Sequence, residues 1–232
     1  MIIRSWDKLP QYMKNEAVRP YYDILCRHKV SLLLKRTFDF FVSLIMLLIL
    51  LPIMVVIALI IRINSSGSPL FLQERVTRYG KHFKIWKFRT MFSDAERKGT
   101  SITVNGDNRI TKVGMFLRKT RLDELPQLVN ILTGDMSFVG TRPEVVKYVE
   151  KYTPEMIATL LLPAGVTSEA SIRYKDEYIS LNDADKVDEI YVNQVLPAKM
   201  TMNLNAIKEF SLINETITLI ETVMAILGIE FK

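Results

Sequence analysis

The feature that most constrains this chain is a run of about 22 almost wholly apolar residues, Phe40–Ile61, long enough to cross a bilayer core of about 30 Å as a straight helix. Only Ser43 and Pro52 interrupt it. Proline removes a backbone donor and clashes with the carbonyl four residues back, so Pro52 favours a kink. The run therefore predicts a membrane helix that breaks near its middle.

Basic residues flank the run at both ends. Lys35 and Arg36 precede it, and Arg62 ends it. Because positive charge favours the cytoplasmic side of a membrane, a helix that enters, breaks at Pro52 and returns to the same face satisfies both flanks. We predict such a re-entrant helix over residues 35–63. One ordinary membrane span and a buried core helix are the alternatives that the residues leave open.

The charge of the chain indicates an anionic partner. The formal net charge is +6 and hydrophobic residues make up 49% of the sequence. A basic balance suits nucleic acid, anionic lipid or a phosphorylated substrate. The apolar run favours the latter two, and no nucleic-acid motif is present, so no nucleic-acid partner is expected. The single cysteine, Cys26, excludes an internal disulfide and fits a reducing compartment.

The sequence divides into three predicted parts. Residues 1–34 are a peripheral N-terminal segment, whose aromatic side chains either reach the lipid headgroups or pack on the domain. Residues 35–63 form the re-entrant helix. Residues 64–232 form an α/β domain, which is long enough to bury a core of its own. Its end carries an amphipathic helix with the stripe Ile213, Ile217, Ile220, Met224 and Leu227. That stripe either packs on the domain or lies in the membrane interface.

Local patterns predict the first elements of the domain. Aromatic and β-branched residues on both sides of a glycine turn predict a hairpin over 69–76 and 81–91. A helix and loop are predicted over 94–103, and a helical stretch in two pieces over 110–132. Thr120 with Asp123 predicts a capping box at the start of the second piece, and Gly134 a helix C-cap. Short helices follow over 144–152 and from Pro154.

The adjacent carboxylates Asp123 and Glu124 are the candidate catalytic pair. Neighbours on a helix point about 100° apart, so the two could do different work. One could attack phosphorus, and the other could hold Mg²⁺ to neutralise the developing charge. An attack on a diphosphate also needs cations, and the planar forks of Arg118 and Arg142 suit phosphate oxygens. The alternative is that an acidic pair simply complements the helix dipole.

A basic strand is the second candidate site. Its side chains Lys84, Lys87 and Arg89 could hold phosphates or anionic headgroups. A solvated basic face is the alternative for this strand. His28 and His82 are too few and too far apart for a histidine-based metal site.

Several ordered motifs resemble one family. They are Lys87-Phe88-Arg89-Thr90-Met91, Asp107-Asn108-Arg109-Ile110-Thr111-Lys112-Val113-Gly114, Phe116-Leu117-Arg118-Lys119-Thr120, Leu122-Asp123-Glu124-Leu125-Pro126-Gln127-Leu128 and Gly134-Asp135-Met136-Ser137-Phe138-Val139-Gly140. From about Lys35 to the C-terminus, the chain is similar to the bacterial sugar transferases, the small monotopic phosphoglycosyl transferases that act on polyprenyl (undecaprenyl) phosphate.

The resemblance implies a reaction and roles for the residues. A sugar phosphate would pass from a UDP-sugar to polyprenyl phosphate through a covalent intermediate on Asp123, with release of UMP, as the first membrane step of glycan assembly. Glu124 matches the residue that holds Mg²⁺, and Arg118 a phosphate-binding arginine. Arg142 and Pro143 match the nucleotide-binding motif. Lys87 and Arg89 belong with the substrate-binding residues.

The resemblance also implies a location. The fold would be a membrane-docked α/β domain with a helix broken at Pro52 and with amphipathic helices at the interface. The domain would face the cytoplasm on the inner membrane of a bacterium, in contact with membrane lipids. A homodimer is left open, as is the identity of the sugar. A non-catalytic membrane-anchored recruitment module is the alternative function, but an intact acidic pair argues against it.

Three departures from the family pattern stand out. Thr141 replaces the first proline of Pro-Arg-Pro, so the backbone before Arg142 is less constrained. Leu51 stands before Pro52 where a serine is common. The loop Pro163-Ala164-Gly165-Val166-Thr167-Ser168 replaces a shorter one with two glycines. We expect this loop and the segment after it to take part in the choice of sugar.

Overall fold

The computed structural model describes residues 3–92, 108–174 and 187–229. The helix predicted over 94–103 lies outside these ranges. The described helices are α1 (Arg19–Arg27), α2 (Lys29–Asn64), α3 (Lys112–Lys119), α4 (Gln127–Thr133), α5 (Val146–Val149), α6 (Glu169–Arg173), α7 (Val187–Ile190), α8 (Leu196–Lys208) and α9 (Leu212–Ile226). The described strands are β1 (Leu70–Val76), β2 (His82–Phe88), β3 (Met136–Val139) and β4 (Ala164–Thr167). Short 3-10 turns join several of these elements.

The apolar run lies in one long helix. Helix α2 has 36 residues, contains Pro52 and is long and apolar enough to cross a membrane by length and composition. Pro52 lies inside this continuous helix, and the re-entrant path inferred from Pro52 stays a prediction. A proline inside a helix removes one hydrogen bond, and the turns on both sides of Pro52 continue the helix.

Helix α2 has two different faces. One stripe packs on the domain at intervals of three or four residues, as expected for a helix face, and the opposite face is apolar and exposed. The stripe begins at Leu32 in the largest core cluster and ends at Ile61 beside β2 and α3. Its members are Leu32, Lys35, Asp39, Ser43, Met46, Leu50, Met54, Ile57 and Ile61.

Polar bonds reinforce this packing near the start of α2. Lys35 is only 5% exposed, and its Nζ donates to the Val139 carbonyl at 2.9 Å and pairs with Glu215 of α9. Arg36 donates to the carbonyls of Ile131 and Leu132 at the end of α4. A cation at a helix C-terminus is favourable. Helix α2 is therefore tied to the domain by side-chain bonds as well as by apolar contacts.

Two small sheets complete the domain. Strands β1 and β2 form the predicted antiparallel hairpin, with Leu70 opposite Phe88 and Val76 opposite His82. Strands β3 and β4 pair in parallel, with Met136 opposite Ala164. Helix α4 packs between β2 and α2 through Leu128 and Ile131. The result is a mixed helix and sheet fold in which the hairpin and α4 rest on the long apolar helix.

The N-terminal segment belongs to the core. Met13, Val18 and Leu25 are fully buried and pack with the 3-10 helix Met156–Leu161 and with α8. Tyr21 and Tyr22 are also buried there. Of the two arrangements considered for these tyrosines, the structure has them packed in the protein. The boundary at residue 34 stays a prediction.

Two helix ends differ in how well they were predicted. The residues 110–132 form two helices as expected, but the capping box is wrong: Thr120 ends α3, and its hydroxyl donates to the Phe116 carbonyl. Gly134 ends α4 at φ +88°, as predicted. A left-handed residue is a common helix C-cap.

Helix α9 leaves its apolar stripe uncovered. None of its side chains is buried within the described part of the chain, and Ile213, Ile217 and Ile220 are exposed. Of the two arrangements predicted for this stripe, the structure does not show packing on the described part of the domain. The described contacts of α9 run through its other face, where Glu215 meets Lys35 and Thr222 bonds Thr167.

Candidate active site

The carboxylates Asp123 and Glu124 lie on a short 3-10 turn, Leu122–Glu124, between α3 and α4. The residue before the turn, Arg121, is left-handed at φ 57°. A non-glycine residue in that region is uncommon and carries strain that often marks a functional site. The pair was expected on a regular helix, and the break after Thr120 replaces that helix by a tight turn.

Glu124 is the electrostatic centre of the site. Its Oε1 accepts from Lys87 Nζ at 3.0 Å and from Arg142 Nη2 at 2.7 Å. Burial alone would raise the pKa of Glu124, but Arg142 and Lys87 outweigh it and hold the pKa well below its usual range. The structure therefore keeps Glu124 ionised between two cations from β2 and from the segment after β3.

The pKa of Asp123 is shifted in the opposite direction. Its side chain is only 8% exposed, and it accepts no hydrogen bond within the described residues. Burial raises the pKa of the Asp123 carboxyl; Lys87 opposes the rise and the Glu124 carboxylate adds to it. Two adjacent carboxylates with opposite pKa shifts are suited to different roles. Asp123 is the poorly solvated group whose oxygens remain available to a substrate.

Two glycine backbones touch next to the segment that carries Arg142. A Cβ on Gly165 would lie 2.2 Å from the Gly140 nitrogen. Gly140 N donates to the Thr167 carbonyl at 2.9 Å, and Gly165 N donates to the Thr141 carbonyl at 2.8 Å. These bonds extend the β3–β4 pairing and fix the chain next to Arg142. Thr141 thus has a backbone restraint where the family pattern has proline.

The remaining predicted site residues have different surroundings. Arg118 Nε donates to the Thr90 hydroxyl at 2.8 Å, and its charge acts on Asp123. The Pro143 carbonyl accepts from Arg75 at 3.2 Å. Arg89 donates to the carbonyls of Ser65 and Ser66 just after α2, at 2.7 and 2.8 Å. Lys87, Arg118 and Arg142 therefore converge on the acidic pair, while the described bonds of Arg89 hold the end of the long helix.

The acidic pair lies against the apolar helix. Leu122 and Leu125, on either side of the pair, pack with Ile57 and Ile61 of α2 in one apolar cluster. The cluster also contains Phe88 and Leu117.

The bonds of Glu124 leave one of its carboxylate oxygens for the magnesium ion expected from the sequence. Both cations bond Oε1 of Glu124, and no described residue bonds Oε2. Among the described residues, no group of three or more His, Cys, Asp or Glu side chains comes together. Mg²⁺ is commonly held by one or two carboxylates with substrate phosphates and water. Glu124 can supply such a carboxylate, and a diphosphate substrate would supply oxygens.

Comparison with known families assigns the chain. A family model described as bacterial sugar transferase matches residues 30–228. The chain belongs to the bacterial sugar transferase family. The resemblance inferred from the motifs is thereby confirmed, and the match of this sugar transferase includes α2 as well as the acidic pair.

Two of three relatives of this sugar transferase are named for undecaprenyl phosphate, and the third for exopolysaccharide production. A Bacillus subtilis protein, provisionally named an undecaprenyl-phosphate N-acetylgalactosaminyl 1-phosphate transferase, is 44% identical over 63% of this chain and 80% of its own length. The Escherichia coli UDP-glucose:undecaprenyl-phosphate glucose-1-phosphate transferase is 38% identical over 75% of this chain. The Rhizobium leguminosarum exopolysaccharide production protein PSS is 40% identical over 62% of this chain and 76% of its own length.

The chain spans only 38% of the length of the Escherichia coli relative. It therefore corresponds to one part of that longer protein.

Three residues near the site carried no signal in the sequence. Arg75, Glu144 and Tyr191 form bonds around Pro143, but Tyr191 is 47 positions from Glu144 and Arg75 is 68 from Pro143. Only the tertiary fold brings them together.

Proposed function

We propose that this sugar transferase moves a sugar 1-phosphate from a UDP-sugar to polyprenyl phosphate, with undecaprenyl phosphate as the carrier. One observation carries the proposal: a buried acidic pair, with Lys87, Arg118 and Arg142 around it, lies directly on the apolar helix. A site of this kind suits two phosphate-bearing substrates, one from water and one from the membrane. The names of the relatives support the same pair of substrates.

Asp123 is the nucleophile in this proposal. A carboxylate oxygen attacks the β-phosphorus, which bears the sugar, and the bond from that phosphorus to the bridging oxygen breaks. UMP leaves with the electron pair. An oxygen of polyprenyl phosphate then attacks the same phosphorus, the acyl phosphate bond breaks, and the carboxylate is regenerated. The raised pKa of Asp123 makes its ionised form more basic and therefore a better attacking group.

The cations have separate tasks in the two steps. Arg142 and Lys87, already paired with Glu124, provide positive charge for the diphosphate. Arg118 acts on the Asp123 side of the site. A bound Mg²⁺, with Glu124 as its protein ligand, would neutralise charge on the phosphate oxygens.

The membrane arrangement is part of the proposal. The packed stripe of α2 extends from Leu32 to Ile61, about 44 Å at 1.5 Å per residue. A helix crossing a core of about 30 Å could not remain in contact with a water-soluble domain over such a length. We therefore keep the monotopic arrangement, in which both ends of the helix lie on the cytoplasmic face of the inner membrane, and in which a kink at Pro52 would let the continuous helix enter the membrane and return.

Release of UMP without lipid tests the reaction. The enzyme in detergent, given a UDP-sugar labelled in the sugar phosphate, should release about one UMP per molecule and retain the label, because the covalent step ends after one turnover. Asp123→Asn should release none and retain none. Relatives' names make UDP-glucose and UDP-N-acetylgalactosamine the first two sugars to test.

A matched control uses Asp23, an exposed aspartate paired with Arg19. Asp23→Asn should keep the full amount of UMP and label. Normal turnover by Asp123→Asn would overturn the proposal.

A further inference from the structure

A buried carboxylate lies directly after the nucleotide-motif residues Arg142 and Pro143. Glu144 is 8% exposed, and a buried charge is costly unless it is paired. Its Oε1 accepts from the Tyr191 hydroxyl at 2.5 Å, and its Oε2 lies 4.0 Å from Arg75 Nη1. Its backbone carbonyl accepts from Val76 N at 3.0 Å. Side chain and backbone are thus both fixed.

Arg75 also holds the residue before Glu144. Arg75 Nη1 also donates to the Pro143 carbonyl, and Gln73 Oε1 accepts from Arg75 Nη2 at 2.6 Å. Pro143 has a fixed φ, so little freedom remains between Glu144 and the α-carbon of Arg142. On the other side of Arg142, the Thr141 carbonyl is bonded to Gly165. The Arg142 side chain then extends from a backbone restrained at both ends.

The side chain of Tyr191 extends from an irregular helix. Residues Tyr191–Val195 form a π-helix between α7 and α8. Such insertions shift the side chains of one turn relative to the regular helix and are frequent at functional sites. The ring of Tyr191 packs 4.7 Å from that of Tyr148, in a cluster with Leu196 and Met200. Packing on this cluster fixes the ring, and the hydroxyl points to Glu144.

We infer that Tyr191 is a positioning residue for the sugar-nucleotide site, acting through Glu144 and Pro143 to hold Arg142 on Glu124. The inference rests on the proposed function, in which Arg142 contacts the UDP-sugar. Tyr191 touches neither the acidic pair nor, in this inference, the substrate.

Tyr191→Phe tests this role because it removes only the hydroxyl. In purified full-length enzyme with UDP-glucose or UDP-N-acetylgalactosamine, whichever turns over, KM for the UDP-sugar should rise about five- to tenfold, the equivalent of one hydrogen bond. KM for polyprenyl phosphate should stay unchanged, because Arg142 acts on the nucleotide half. In an Arg142→Ala background, Tyr191→Phe should have no further effect on KM, since coupled residues are not additive.

Tyr148→Phe is the matched control. Tyr148 is buried, stacks on Tyr191 and donates its hydroxyl to Asp188 Oδ1 at 2.6 Å instead. It should lose similar thermal stability without the change in KM. Equal KM values for the two phenylalanine variants, or a full effect of Tyr191→Phe in the Arg142→Ala background, would overturn the positioning role. Absence of UMP release by the unchanged enzyme would instead overturn the proposed function.

Discussion

At the scale of single residues, the two adjacent carboxylates have opposite effects on stability. The pKa of Asp123 is raised by burial above its ordinary value of 3.8, so its ionised form is disfavoured in the folded protein. The stability it contributes is present below that ordinary value and is lost as the pH rises through the folded pKa. Ionised Asp123 is therefore a cost of the site at neutral pH.

Asp123→Asn should raise the melting temperature at pH 7, because the substitution removes that cost. The gain should disappear below about pH 4, where the unfolded chain and the folded protein both carry a protonated aspartate. Thermal unfolding measured from about pH 3 to about pH 8 checks both statements. A variant that is less stable than the wild type at pH 7 would contradict the burial argument.

Glu124→Gln should change the stability in the opposite direction and lower it at pH 7. The pKa of Glu124 is lowered below its ordinary value of 4.5, so its stabilisation is present above that value and is lost as the pH falls through the folded pKa. Loss of the carboxylate leaves Lys87 and Arg142 without their shared acceptor. We expect a loss on the order of 2 kcal/mol at pH 7, measured by denaturant unfolding beside Asp123→Asn.

The acidic pair, Lys87, Arg118 and Arg142 could be named from the sequence because the family motifs are local. What the sequence did not reveal is how they meet. The left-handed Arg121 turns the chain after α3, and no composition rule predicts an arginine there. Tyr191 and Glu144 are far apart in sequence and carry no pattern. Arg89 was grouped with Lys87 by the strand, yet its described bonds go to residues 65 and 66.

At the scale of elements, the sheet β3–β4 depends on the close approach of two glycines. Gly165→Ala should lose about 1–3 kcal/mol, as overpacked sites do, because its Cβ would meet Gly140 backbone atoms. It should also lower turnover, since the segment that carries Arg142 must move away. Unfolding and UMP release, measured together, check the prediction.

Ala164→Gly is the comparison variant for that test. It lies next to Gly165 in β4 and loses a methyl group without adding an atom. It should cost about 0.5–1 kcal/mol and keep its turnover. If Gly165→Ala kept full turnover, the glycine contact would have no part in placing Arg142.

The elements that were predicted well have strong local signals. The hairpin has aromatic and β-branched residues around a glycine turn, and the two strands pair antiparallel as predicted. The capping box failed because Thr120 can equally bond backwards to the helix that it ends. Pro52 is a local signal for a kink, and α2 is assigned as one continuous helix through it.

At the scale of the whole molecule, the membrane arrangement can be tested from outside the domain. Lys35 is a poor reporter because it is buried and paired with Glu215. Val30 and Ile63 are better, since they are 73% and 86% exposed and lie at opposite ends of α2. Their positions report separately on the two ends of the helix.

In a Cys26→Ser background, Val30→Cys and Ile63→Cys should both react with a membrane-impermeant maleimide from the cytoplasmic side only. The reason is that a monotopic helix returns both of its ends to one face. Labelling of intact cells and of inverted membrane vesicles checks this. Reaction of the two cysteines from opposite sides would show a spanning helix and contradict the monotopic arrangement.

The two faces of α2 have a consequence for the modularity of the enzyme. Ile57 and Ile61 are the apolar partners of Leu122 and Leu125, which flank Asp123. Helix α2 therefore supplies part of the wall behind Asp123. A chimera with a foreign hydrophobic helix of equal length would still reach the membrane, yet would leave that wall unfilled. Helix α2 therefore cannot be replaced by an arbitrary hydrophobic helix, because its side chains are part of the apolar packing beside Asp123.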